Sequence, residues 1–212
     1  MFDTQSEEDF YNFCREQGWA AEKLKPDPNL RTPDFKVSTR TAYEFVAEVT
    51  EFEPDPFPPP GEFRVRSDVV GDAIRIKLRD KKAQVRRFAD RYPTVIVISG
   101  EFEHLGLLEA HSFDSALYGE MAIGVRVPRD PNQRPVYDED MHNAGRRFFG
   151  PTHNTRISAV AALDRRPQFL RFFHNRYARI PLEPGRLLIG TNNVQHFLKR
   201  DDNAAGWEEV GG

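Results

Sequence analysis

The sequence predicts an α/β fold in which helices flank a central sheet, and three observations predict it. Residues 6–23 and 67–91 carry apolar side chains at near-helical spacing. Residues 43–52 alternate and are rich in aromatic and β-branched types, as a strand requires. Residues 94–100, TVIVISG, form a continuous apolar run, the pattern of a strand covered on both faces. The resulting order is helix, strands, helix, strand. A length of 212 residues suits one domain over 1–212, and 39% hydrophobic with 30% charged residues supplies a core while excluding disorder throughout.

In the first helix, Phe10, Phe13, Cys14 and Trp19 mark the buried stripe, and Ser6 before Glu7, Glu8 and Asp9 offers an N-cap with an acidic first turn. Gly18 lies near its end, and Pro26, Pro28 and Asn29 lead out of it into Thr32-Pro33-Asp34-Phe35-Lys36-Val37, where loop becomes strand. Residues 38–41 form a turn before the strand 43–52. The proline-rich stretch 53–61 fits neither helix nor central strand, because proline lacks an amide donor, and it reads as a stiff connector. Ser67 caps the second helix and Tyr92-Pro93 closes it. Beyond residue 100 the pattern is weaker. A short helix or turn falls at 113–119, a Pro-, Asp- and Arg-rich loop at 128–156, strands at 157–163 and 169–173, an irregular segment at 174–184 and a flexible tail at 201–212.

No apolar run approaches the roughly 20 residues that cross a bilayer, and MFDTQSEEDF has neither the basic nor the apolar region of a signal peptide. A cytoplasmic protein without membrane contact is expected. The single cysteine excludes an internal disulfide or a cysteine-rich zinc site, and the six histidines match no zinc or hydrolase spacing. Phosphate-binding glycine loops, nucleophile elbows and zincin motifs are absent from the sequence, leaving ATPase, α/β-hydrolase and metalloprotease readings without support. Net charge is only -3, but it is segregated. Residues 1–60 hold 13 acidic and 6 basic side chains, whereas residues 61–100 hold 5 acidic and 10 basic ones. An acidic cluster beside a basic rim has this form, as does a patchily charged surface.

Two carboxylates carry the chemistry. Alternation puts Glu44, Val46, Glu48 and Thr50 on one face of their strand and Tyr43, Phe45, Ala47 and Val49 on the other. Glu48 therefore sits in a mostly buried strand, where an unpaired charge costs on the order of several kcal/mol. An antiparallel hairpin brings Asp34 beside it, and a divalent cation would relieve the repulsion between the two.

Pro33-Asp34 entering one strand and Glu48-Val49-Thr50 on the next make residues 6–100 resemble the PD-(D/E)xK, or restriction-endonuclease-like, nuclease superfamily, with Thr50 where the motif has lysine. The resemblance implies a mixed sheet flanked by helices, with residues 101–200 as a C-terminal α+β elaboration. It implies Mg²⁺ or Mn²⁺ held by Asp34 and Glu48, with Glu8 matching an extra acidic ligand of some members. It also implies endonucleolytic hydrolysis of nucleic acid, DNA ahead of RNA. In some members the basic residue has moved to the following helix, and a glutamine there often lies near the site. Here Ile74, Leu78, Lys81, Val85 and Phe88 share one stripe, so Lys81 interrupts an apolar face and either snorkels to solvent or reaches Glu48. Lys77 and Gln84 lie on the same side, and Lys77 is the next candidate after Lys81 for the displaced basic residue and an expected nucleic-acid contact. Thr50 is left to bond a metal-bound water or steady Glu48.

His174 and Arg176, after a strand and with Arg179 close by, are further candidates for a nucleic-acid backbone. Arg146-Arg147-Phe148-Phe149 and Arg165-Arg166 before Phe169 mix basic and aromatic groups as single-strand binders do, and as solvated arginines over an apolar edge also do. The rival reading is a nuclease-like domain without catalysis that binds a protein or nucleic acid. Residues 101–212 leave room for a homodimer contact or a partner protein.

Overall fold

All seven residues from Thr94 to Gly100 are buried, because helices cover both faces of the strand they form. The computed structural model describes residues 2–27, 31–52, 70–100, 110–122, 125–126, 134, 136–137, 142–144, 147–165, 168–187, 193–199 and 207–210. In chain order the elements are α1 (Gln5–Glu16), β1 (Ala20–Lys23), β2 (Phe35–Ser38), β3 (Glu44–Glu51), α2 (Val70–Val85), β4 (Thr94–Gly100) and α3 (Ala110–Tyr118). Then come β5 (Glu120–Ala122), β6 (Val125–Arg126), β7 (Val136–Tyr137), β8 (His142–Ala144), β9 (Ala159–Arg165), β10 (Gln168–His174), α4 (Pro184–Leu187), β11 (Val194–Leu198) and β12 (Glu208–Val210). The expected connector at 53–61, the Ser67 cap, Arg146 and Arg166 lie outside the described residues.

The chain is α/β, with one mixed eight-stranded sheet in the order β1-β2-β3-β4-β9-β10-β11-β12. β1, β2 and β3 form an antiparallel meander, and β3, β4 and β9 run parallel. Alternation along β3 partitions the core as the sequence predicts. Phe45, Ala47 and Val49 join Phe10, Phe13 and Cys14 of α1 on one face, together with Phe35, Val95 and Val97. On the other face Ile74, Leu78 and Val85 of α2 and Phe113 and Leu117 of α3 pack over Ile96, Ile98 and Val160. Cys14 is buried in the first layer, and burial pushes its thiol pKa up, as expected of a packed cysteine.

Three expectations need correction. The first helix ends at Glu16, not near residue 23. Gly18 at φ +71° supplies the left-handed residue of a Schellman cap, with Trp19 N–H donating to the Cys14 carbonyl (2.8 Å) and Gly18 N–H to that of Arg15 (3.0 Å). The chain then turns into β1, whose edge pairing with β2 outweighs the helical pattern. Its N-cap is Thr4, whose hydroxyl accepts from Glu7 N–H at 3.2 Å, while Ser6 is buried in the first turn. In the second half, residues 208–210 of the expected tail form β12 against β11, and β7 and β8, inside the segment read as loop, pair with β6 and β5. Strand β11, which has no strong sequence signature, pairs in parallel with β10.

Candidate active site

Because β2 runs against β3, the start of β2 meets the later half of β3. Phe35 pairs with Ala47, so Asp34, one residue earlier, comes level with Glu48. Glu48 pairs with Ile96 and Ile96 with Val160, so the two carboxylates lie level with the first halves of the parallel strands β4 and β9. Asp34 is fixed twice: its carboxylate Oδ2 accepts from Val49 N–H (2.7 Å) and its carbonyl from Leu24 N–H (2.8 Å).

Glu48 is only 2% exposed. Burial, then repulsion from Asp34, raises its pKa to about 8, against the opposing pull of Lys81. Asp34 is also raised, first by burial, with the Val49 bond opposing and the charge of Glu7 adding to the rise. Lys81 Nζ lies 2.9 Å from Glu48 Oε1. Of the two paths left open to it by the helical stripe, the side chain takes the one toward Glu48. Burial works against its charge, yet its bond to Glu48 and the charges of Glu48, Asp34 and Glu7 raise the Lys81 pKa. The other Glu48 oxygen, Oε2, is buried without a hydrogen-bond partner, and so is Oε1 of Gln84, three residues along α2 from Lys81. Thr50 is buried on the strand that carries Glu48, and Lys77 is half-buried one turn before Lys81.

Two carboxylates pressed together with one bare, buried oxygen suit a small hard cation. Mg²⁺ commonly takes one or two protein carboxylates and keeps water on its remaining positions. Among the described residues, no group of three or more His, Cys, Asp and Glu side chains is gathered as a metal cage, so Asp34 and Glu48 would hold such an ion with water and substrate oxygens.

Some of the expected residues fall elsewhere. Glu8 is exposed and lines a surface recess with Asp3, Thr4 and Gln5, because the Thr4 cap turns its neighbour Glu7 inward instead. Glu7 is buried, acts electrostatically on Asp34 and Lys81, and is held by Lys23 Nζ at 2.5 Å. Sequence reasoning missed it, although a cap at Thr4 in place of Ser6 would have identified it. His174 does not face solvent. It is buried and its Nε2 lies 2.7 Å from Nδ1 of His196. Arg176 is exposed, and the pairings Glu48–Ile96, Ile96–Val160 and Val160–Phe173 place the end of β10 near the level of Glu48 but with β4 and β9 between them, so neither His174 nor Arg176 adjoins the two carboxylates along the sheet. Arg165, at the end of β9, is engaged by Asp9 (2.8 Å), Ser6 (2.9 Å) and Glu51, tying α1 to β3 beside the site. Phe148, Phe149 and Phe169 do not form an exposed aromatic platform, since the first two are buried and the third half-buried.

Searches of protein-family models, curated proteins and solved structures each find no match to this chain. No helix among the described residues is long and apolar enough to cross a membrane.

Proposed function

We propose that the protein is a metal-dependent endonuclease of the PD-(D/E)xK kind that hydrolyses phosphodiester bonds, with DNA ahead of RNA as substrate. One observation carries the reading: Lys81, from the helix after the motif strand, reaches Glu48 at 2.9 Å and so supplies beside Asp34 the ammonium that Thr50 cannot. The element order α1, β1, β2, β3, α2, β4, with Asp34 entering the second strand and Glu48 on the third, supports the same assignment.

Asp34 and Glu48 would hold Mg²⁺ or Mn²⁺, which when bound lowers the pKa of a coordinated water and offsets charge on the phosphate. The chain's own residues do the rest. Asp34 is oriented by the Val49 amide, so one of its oxygens has a fixed direction. Lys81, about one-third exposed, can bond Glu48 and still turn its ammonium toward a phosphate at the mouth of the site. Gln84 and Lys77 flank it on α2, the first offering an amide and the second a positive charge to a backbone oxygen.

The test is cleavage of a DNA duplex and an RNA duplex with Mn²⁺ or Mg²⁺. Asp34→Ala and Glu48→Ala are expected to lower cleavage by at least about 100-fold while remaining folded, and Lys81→Ala is expected to slow it more than Thr50→Ala. Full activity in both carboxylate variants ends the assignment. A protein that binds nucleic acid with no metal dependence and no cleavage is instead a binding module.

A further inference from the structure

Two arginines share one carboxylate oxygen without closing on it. Arg156 Nε lies 4.0 Å and Arg179 Nη1 3.9 Å from Oδ1 of Asp90. Charge-assisted contacts of this kind close to about 2.7–2.9 Å, so both pairs are loose. Asp90 and Arg179 are also exposed, and an exposed ion pair contributes little. Across residues 86–91, 154–157 and 175–180 the sequence holds six arginines and one acidic residue, Asp90, which leaves most of that positive charge uncompensated. Arg87 and Arg91, on the same turn as Asp90, are exposed and make no ion pair with the described residues.

The side chains are loose, but the backbone beneath them is fixed. The Thr94 hydroxyl donates to the Arg156 carbonyl, and Arg179 N–H donates to the Thr155 carbonyl at 2.8 Å. Ser158 Oγ donates to the Ile180 carbonyl (2.6 Å), and the buried Asn175 amide donates to the carbonyls of Asn154 (3.1 Å) and Ile157 (2.8 Å). This frame does not need Asp90 to hold it, and it presents two guanidinium groups with little left to order on binding. It is also close to the carboxylates. Thr94 precedes Ile96, the partner of Glu48, by two residues, so it shares the face of Glu48 and stands about 7 Å along the sheet from its level. One strand of nucleic acid spans that distance in roughly two nucleotides.

We propose that Arg156 and Arg179 form a clamp for a backbone phosphate of nucleic acid close to the one that is cleaved, and that Asp90 is an internal anion which that phosphate displaces. The clamp rests on the reading of Asp34 and Glu48 as a nuclease site for the identity of its ligand. A phosphodiester has two free oxygens, and planar guanidinium groups match them better than they match one distant carboxylate oxygen. Arg176, three residues before Arg179, sets its guanidinium over the Tyr177 ring and takes no part.

Fluorescence anisotropy of a labelled DNA duplex with the full chain, in an Asp34→Asn background across a salt series, tests the clamp. Arg156→Ala and Arg179→Ala are each expected to weaken binding severalfold and to reduce the slope of log affinity against log salt by about one unit. Asp90→Asn is expected to tighten binding, on the order of threefold, by removing a weakly held competitor. That gain should vanish when Arg156 and Arg179 are both alanine, because coupled positions are not additive.

A gain from Asp90→Asn that survives the loss of both arginines is a change of overall field and overturns the clamp. So does an unchanged salt slope in folded Arg156→Ala and Arg179→Ala proteins, or lowered melting temperatures in all three variants with no change in binding, which would make the three residues a structural tie. Metal-dependent cleavage by the unaltered chain is measured separately. The expected slopes without any cleavage uphold the clamp and remove the nuclease reading, whereas cleavage with unchanged slopes does the reverse.

Discussion

Glu48 is a carboxylate whose surroundings oppose its charge, and this has a consequence for stability that runs opposite to the usual acidic residue. In the unfolded chain it titrates near 4.5, whereas in the fold burial and Asp34 move it to about 8. Between those values the unfolded state releases a proton that the folded state keeps, so stability is greatest below about 4.5 and falls as pH rises toward about 8. Asp34 is shifted in the same direction and adds to the slope. Thermal melts of the metal-free protein from pH 5 to 8 should show Glu48→Gln losing less stability than wild type over this range, by a few degrees in Tm. Parallel curves for the two proteins would mean that Glu48 is ionised throughout. The pairing of Asp34, Glu48 and Lys81 was legible in the sequence because each position follows from a local period, two in the strand and 3.6 in the helix. Glu7 was not, since shifting the cap from Ser6 to Thr4 changes the phase of the first turn and exchanges the roles of Glu7 and Glu8.

At the scale of elements, the sequence revealed what is periodic and concealed what is paired at a distance. β4 and the apolar stripe of α2 could be read directly, whereas β11 and β12 depend on hydrogen bonds to strands far away in the chain or too short to show a pattern. The parallel pair β10–β11 contains the clearest surprise, the buried contact between His174 and His196. His196 lies flat on Phe172, with ring centroids 5.0 Å apart, and its Nε2 has no hydrogen-bond partner. Burial lowers the pKa of His174 to about 4, partly offset by a bond to the Leu182 backbone, and burial together with His174 lowers that of His196 to about 3. Both rings are therefore neutral in the fold, while unfolded histidines bind protons below about 6.5. Their contribution to stability is present above that value and is lost as pH falls toward 4. His196→Phe, which keeps the ring stacked on Phe172, should flatten the loss of stability between pH 6.5 and 4 in acid denaturation followed by circular dichroism. An undiminished loss would place the acid sensitivity outside this pair. The residue that resembled a surface phosphate contact in the sequence thus acts as a tie between two strands, because a histidine at the end of an apolar run has the same local pattern in either role.

At the scale of the whole molecule, one sheet runs through both halves of the chain, and its two edges have different surroundings. The half of the sheet nearer β1 holds Asp34 and Glu48, and α2 brings Lys77 and Lys81 alongside, with Arg79 and Lys82 exposed on the same helix. This helix belongs to the segment that holds 10 basic and 5 acidic residues, within a protein of net charge -3. A negatively charged protein that binds a polyanion must do so through a confined patch, and the number of phosphates it contacts is then small. Arg176, exposed and with its guanidinium over the Tyr177 ring, follows β10, which β4 and β9 separate from the strand that carries Glu48. The two positions therefore make opposed predictions in a cleavage-blocked Asp34→Asn background. Lys77→Ala should weaken duplex binding to a similar extent on any sequence, and should reduce the slope of log affinity against log salt by about one unit. Arg176→Ala should leave both affinity and slope unchanged. Fluorescence anisotropy across a salt series measures both quantities. If Arg176→Ala lowers the slope and Lys77→Ala does not, nucleic acid docks beside β10 rather than along α2, and the assignment of Lys77 as a phosphate contact fails.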